Sequence, residues 1–312
     1  MFGNEGRWSA VRTHWPITLA MIFGSYVAGS TPMGGGTVGF PILVLLFGLP
    51  ARLGRDFSFA VQSVGMVSAA IFILARGQRV AWPVLRGAML GAVIGLPVGL
   101  FVVAPRVPDL WVKLIFAVAW ASFGVLHLYR FRVFAAQQGR TTLTDGWSFR
   151  AGVLSGTLAG ATIVAATGVG VDMFVYVVLV LLCRADLKVA IPTAVIAMAF
   201  TSVLGLALVA AHDGLAPGTI DNWLAAVPVV VLGAPVGAYV VSRVGRAPTL
   251  LMVAALCVFQ FGWTWYVERS TLGVAGLAAG VVVVGLVLVL FGRMEAWGAS
   301  RAIADRGHNQ SP

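Results

Sequence analysis

Gly29-Ser30-Thr31-Pro32-Met33-Gly34-Gly35-Gly36-Thr37 interrupts an apolar run that begins near Ile17 and resumes over residues 38–49. About 135 residues later, Ala165-Ala166-Thr167-Gly168-Val169-Gly170-Val171-Asp172 interrupts a second such run, which resumes over residues 173–182. In a helix interior proline costs ~3 kcal/mol and glycine ~1 kcal/mol relative to alanine. Neither stretch therefore continues a regular helix cheaply. Backbone freed inside a bilayer must be hydrogen-bonded or face a polar cavity. Interrupted helices at corresponding places in two halves of a membrane protein point to a transporter's substrate site.

Composition supports a bilayer as the solvent. Of the 312 residues, 59% are hydrophobic and 10% charged, against roughly 25% charged in a soluble domain. Mean hydropathy is +0.94. The net charge of +10 is scattered through the connections between apolar runs, as positive-inside loops require, so no nucleic-acid partner is expected. Cys183 and Cys257 lack metal spacing and read as buried free thiols. The start also reads like a secretory leader, with Arg7 and Arg12 before the first run and Ala28-Gly29-Ser30 after it. Residues 17–29 pair with 152–165 in the repeat, so they are expected in the mature protein.

The runs divide into short and long. Short segments fall at about 15–29 and 38–49, and again at 150–166 and 170–182. Long spans follow each pair, at 57–75, 83–103 and 110–129, then 188–210, 223–241 and 249–267, with an extra span at 272–291. A crossing needs ~20 apolar residues, so each short pair reads as a re-entrant hairpin. The expected organisation is an N-terminal tail (1–14), a first transmembrane repeat (15–129), a cytoplasmic linker (130–149), a second repeat (150–267), an extra helix (268–291) and a cytoplasmic tail (292–312).

Basic residues orient the spans. Five connections belong in the cytoplasm: those with Arg76, Arg79 and Arg86; with Arg130, Arg132, Arg140 and Arg150; with Arg184 and Lys188; with Arg243 and Arg246; and the tail with Arg293, Arg301 and Arg306. The connection 211–222, with Asp213 and Asp221 and no Lys or Arg, then falls outside. This places the N-terminus outside and the C-terminus in the cytoplasm. Arg7, Arg12, Arg52 and Arg55 on the outer side run against the rule. Three crossings per half relate the halves by an axis in the membrane plane. The fold class is thus all-α and polytopic, with two inverted-topology repeats, each a broken-helix hairpin plus three transmembrane helices, and one extra C-terminal helix.

A break exposes the first amides of the following half-helix, with the positive end of its dipole. Gly34, Gly35, Gly36, Gly168 and Gly170, with Met33 and Val169 beside them, let an anion approach that backbone. Ser30, Thr31, Thr37 and Thr167 offer hydroxyl donors. The alternative is that these glycines serve close helix packing. Ser58 and Thr193 align at the starts of long spans and read either as N-caps or as further ligand groups. Asp172 opens the second half-helix. An acid at bilayer depth costs at least ~2.5–3.5 kcal/mol, so it is either a proton-coupling group or a structural cap. Gln62, Gln260 and Thr264 lie within long spans, as path-lining groups or interhelical hydrogen bonds. Arg86 reads as snorkelling to the interface and His127 as interfacial.

In layout and motif order the chain resembles the TauE/SafE sulfite exporter family over about 17–291. The likeness rests on the two-repeat layout, Gly34-Gly35-Gly36 followed by Pro41, Asp56-Phe57-Ser58, Pro192-Thr193, and Gly87-Ala88-x-x-Gly91-Ala92 echoed by Gly233-Ala234-x-x-Gly237-Ala238. Val169 and Val171 stand where the family pattern implies glycine. The resemblance implies transport of sulfite, sulfoacetate or related organosulfonates across a bacterial inner membrane. Export of an anion is downhill, since an inside-negative potential supplies ~2.3 kcal/mol per charge per 100 mV. A coupled proton, a homodimer, a carboxylate carrier and an anion channel on the same scaffold stay open. Neither His-Glu-x-x-His nor Gly-x-Ser-x-Gly occurs, so no enzyme, cofactor or metal is expected.

Overall fold

The computed structural model describes residues 14–136, 145–244 and 247–308. The tail arginines Arg7 and Arg12, the connection 137–144 with Arg140, Arg246, and 309–312 lie outside the described residues. Those described are helical, without strand. The helices are α1 (Trp15–Ser30), α2 (Gly36–Pro41), α3 (Ala51–Ala75), α4 (Trp82–Val98), α5 (Asp109–Ala136), α6 (Asp145–Ala159), α7 (Val171–Val177), α8 (Leu187–His212), α9 (Thr219–Val244), α10 (Ala247–Val267) and α11 (Arg269–His308). Helices α2, α4, α6 and α7 each run on into a wider π-turn.

Among the described residues eight helices are long and apolar enough to cross a membrane, and 36–46 and 171–182 are shorter apolar helices. The protein is therefore a multi-pass membrane protein. The sequence reading makes 150–166 a short arm. The helix instead starts five residues earlier at Asp145, an acid in its first turn, and runs through 167 as a candidate span. Arg150 lies inside it, on the exposed side, where a long side chain can reach the interface.

Breaks one and two end their helices differently. Helix α1 stops because Thr31 precedes Pro32 and is extended, at φ −135° and ψ 166°. The second break turns on glycine: Gly168 and Gly170 have φ of +77° and +120°, values that L side chains rarely adopt. After the breaks the halves share a backbone pattern. Phe47 donates to the Ile42 carbonyl at 3.0 Å, and 136 residues on Cys183 donates to Val178 at 3.1 Å. Pro50 (ψ 143°) and Asp186 (ψ 141°) then open α3 and α8. This offset pairs Ser58 with Ala194 rather than with Thr193, one residue from the sequence alignment.

Packing follows the same exchange of halves. Helix α4 packs on α6 and α1 on α9; α5 pairs with α10 and α3 with α8. Glycine makes the first two pairings possible. A Cβ at Gly87, Gly91 or Gly95 would strike the Phe149, Val153 or Thr157 carbonyl, and one at Gly152 or Gly156 the Val84 or Ala88 carbonyl. In the other pair, Gly29 meets the Ala234 carbonyl and Gly237 the Tyr26 carbonyl. These are backbone-to-backbone approaches of the small-residue kind that stabilises helix pairs in lipid. Helix α11 stands apart, turning Val282, Leu286, Val289 and Leu290 outward, a surface suited to acyl chains.

Candidate functional site

The two breaks meet. A Cβ on Gly36 would run into Val169 and approach Ser58 Cβ at 2.8 Å. A Cβ on Gly168 would strike the Arg55 carbonyl and lie 2.8 Å from Ser58 Cβ. At Gly34 it would run into Gln62 Oε1 and come within 3.4 Å of Asp172 Oδ2. Gly34, Gly36, Ser58, Gln62, Gly168, Val169 and Asp172 thus form one buried cluster between α2, α3 and α7. These glycines make room for neighbouring side chains. Gly35 has ordinary clearance, with Met21 Cε 3.4 Å from the Cβ position.

Hydrogen bonds define the cluster. Gln62 Nε2 donates to the Ser58 carbonyl and, across the molecule, to the Gly168 carbonyl, each at 2.9 Å. Asp172 Oδ1 accepts from its neighbour Met173 N–H at 3.0 Å, an acid stabilising the start of α7. Gln62 Oε1 and Asp172 Oδ2 are buried without a hydrogen-bond partner. On the far side of the first break, Trp120 Nε1 donates to Thr37 Oγ1 at 3.1 Å and Gln260 Nε2 to the Thr37 carbonyl at 3.1 Å. Trp120 also lies 3.5 Å from the Cβ position of Gly170, so one side chain touches both breaks. The sequence reading passes over it.

The hydroxyls expected as ligand donors are engaged elsewhere in this conformation. Ser30 donates to the Tyr26 carbonyl (2.6 Å), Thr31 to Val27 (2.8 Å), Ser58 to Gly54 (2.7 Å) and Thr167 to Ile163 (2.7 Å). Such back-bonds to the preceding turn satisfy a buried hydroxyl locally. Met33 is buried, with the Cys257 thiol 3.7 Å from its sulfur.

Several expectations need correction. Ser58 and Thr193 are not N-caps: α3 begins behind Pro50, and α8 behind Asp186, whose carboxylate accepts from Lys188 N–H at 2.8 Å. Thr193 Oγ1 instead accepts the Ala81 amide at 2.9 Å, tying down the connection into α4. Asp56 makes the counterpart contact, accepting the Ala216 amide at 3.0 Å before α9. His127 is not interfacial. It is buried, with Nε2 2.9 Å from the Tyr176 hydroxyl and its ring stacked on Phe123. Gln260 and Thr264 are buried as expected, Cys183 and Cys257 are buried free thiols, and Arg86 is exposed with its guanidinium over Trp82.

A cavity of about 270 Å³ reaches toward this cluster, lined by Arg52, Arg55, Phe101, Asp109, Ala166 and His212 among others. Its floor residue Ala166 directly precedes Thr167 and Gly168 of the second break. The arginines at its mouth are compensated. Arg55 pairs with fully buried Asp56 at 2.8 Å, and Arg52 lies 3.9 Å from Asp56 and 4.0 Å from Asp213.

Fold and site together define a multi-pass helical membrane protein in whose interior the segments 31–36 and 167–172 meet. Residues 17–262 match the family model described as sulfite exporter TauE/SafE, and the chain belongs to that family. No curated protein and no solved structure matches the chain.

Proposed function

We propose that the chain is a secondary transporter that exports small sulfur-containing anions, sulfite, sulfoacetate or a related organosulfonate, across a bacterial inner membrane. The observation that carries this is the apposition of the two breaks at Gly34, Gly36, Gly168, Val169 and Asp172. Both half-helices begin there, so the positive ends of their dipoles lie beside one buried place, a setting that favours an oxyanion. Gly35 and Gly170 complete the backbone lining. Thr37, Gln62, Ser58 and Thr167 are its polar walls, and Ser30, Thr31 and Met33 support them, while Thr193 lies at the connection into α4.

The exchange-symmetric packing and the 136-residue recurrence of backbone pattern support two inverted-topology repeats, 15–129 and 150–267, with one moving against the other in alternating access. The Arg52–Asp56–Asp213 network supports the orientation with the N-terminus outside, because it neutralises two arginines that the positive-inside rule disfavours there. Asp172 is the group through which a proton would couple to the anion in uptake, the direction that the inside-negative potential opposes.

The reading is tested by sulfite counterflow in proteoliposomes. A carrier predicts saturable uptake of labelled sulfite that is accelerated by unlabelled sulfite or sulfoacetate on the far side. Ohmic current without counterflow would make the protein a channel, and counterflow with carboxylates alone would remove the sulfur assignment.

A further inference from the structure

We propose that Gln62 and Asp172 form one proton site that locks the two breaks together: Asp172 carries a proton on Oδ2 and donates it to Gln62 Oε1. The inference rests on the transporter reading for its consequence, while its geometry stands apart from any substrate.

Both side chains are 1% exposed. The orientation of the Gln62 amide is fixed, because its nitrogen donates to two carbonyls, Ser58 and Gly168. Reversing it would set an oxygen against both. Oε1 must therefore face Gly34, where it occupies the space a side chain would fill, and Asp172 Oδ2 borders the same space. Each is an acceptor without a donor. Two buried acceptors bordering one space are both satisfied when a hydrogen lies between them. A neutral carboxyl supplies it without any further group: Oδ2–H donates, Oε1 accepts, and Oδ1 keeps the Met173 amide.

No charged partner competes. Helix α7 packs on α8, α6 and α4. Their charged or titratable side chains are Lys188 and His212, Asp145 and Arg150, and Arg86, and none of them makes a described ion pair with Asp172. On α3, whose Gln62 faces the site, Arg52 lies at the cavity mouth and Arg55 turns its guanidinium to Asp56.

The consequence is a coupling device. With the proton in place, Gln62 grips Gly168 with its nitrogen and Asp172 with its oxygen, and so joins the first half to the second. Loss of the proton leaves a carboxylate against an amide oxygen. That repulsion displaces Gln62 and weakens its hold on Gly168. A carboxylate there also repels an incoming anion, whereas the acid does not, so the site accepts the anion with the proton held on Asp172.

Purified protein in detergent tests this by infrared difference spectroscopy and thermal unfolding across pH, in choline chloride and in sodium chloride. The expected result is a protonated-carboxyl stretch near neutral pH that disappears in Asp172→Asn. The apparent Tm should change with pH over the range in which that stretch is lost. Asp172→Asn should lose this slope, since its amide donates in the proton's place. Gln62→Leu should move the titration down by about one pH unit, the worth of one hydrogen bond. If the Asn variant does not fold, the wild-type and Gln62→Leu titrations carry the test. Absence of the carboxyl stretch would make Asp172 an ionised cap and overturn the proposal. So would saturable stabilisation by sodium but not choline, which would make the site a metal-cation site. None of these readouts needs a transported substrate, so a failure to transport sulfite would overturn only the preceding reading.

Discussion

Trp120 holds the first break through Thr37 and lies against Gly170 in the second, so its indole is a contact shared by both breaks. Trp120→Phe keeps the ring stacked on Phe116, at 4.2 Å in the native protein, and removes only the donor. The expected cost is about 1 kcal/mol of stability, read by chemical denaturation in detergent, with a larger proportional loss in transport rate. Some residues of the site are visible in the sequence and others are not. Gly34, Gly36 and Asp172 declare themselves because glycine runs and an acid are anomalous in apolar sequence. Ser58 and Thr193 mislead, since a hydroxyl near a span's start reads as a cap, while Pro50 and Asp186 already hold the caps, eight and seven residues earlier. Trp120 is silent because an aromatic in a span is ordinary and only the fold brings it to the breaks.

At the scale of the helix, the repeated Gly-Ala-x-x-Gly-Ala motif reads as a mark of family likeness and proves to be a packing surface. Along α4 and α6 each helix sets glycines against the other's carbonyls. Gly152→Ala places a methyl against the Val84 carbonyl, which is backbone and cannot rotate away. An overpacking cost of about 1–3 kcal/mol is expected, measured as a lowered unfolding midpoint, while Gly146→Ala, with open space around it, serves as the neutral control. Helix existence is legible from hydropathy throughout. Helix length is less so: Arg150 looks like the edge of a span, yet α6 carries it inside because an exposed arginine can reach water from within the first turns. The first break follows an extended residue before proline and the second turns on two positive-φ glycines, so similar interruptions arise from different residues.

For the whole molecule, the pairing of α1 with α9, α4 with α6, α3 with α8 and α5 with α10 maps onto itself when the halves are exchanged. Charge sets the direction in which the bundle sits. With Cys183 and Cys257 replaced by alanine, a cysteine at Pro217 is expected to react with an impermeant maleimide from outside intact cells, and one at Ser300 only after permeabilisation. Both positions are exposed. Reversed labelling would invert the orientation. Arg52 and Arg55, which count against the proposed orientation by charge alone, are paired at distances no sequence displays, Arg55 to Asp56 and Arg52 to Asp213.

The central claim is that the apposed breaks bind a sulfur oxyanion, and ligand-dependent thermal stability tests it most directly. Purified protein would be heated with sulfite, sulfoacetate, taurine, sulfate, acetate or malonate, alongside Gly36→Ala, whose methyl would crowd Val169 and Ser58. A ligand at 100 times its Kd stabilises the native state by about 2.7 kcal/mol. The account predicts a saturable rise in Tm with sulfite or a sulfonate, absent in Gly36→Ala. Stabilisation by carboxylates alone, or an equal response in the variant, would contradict it.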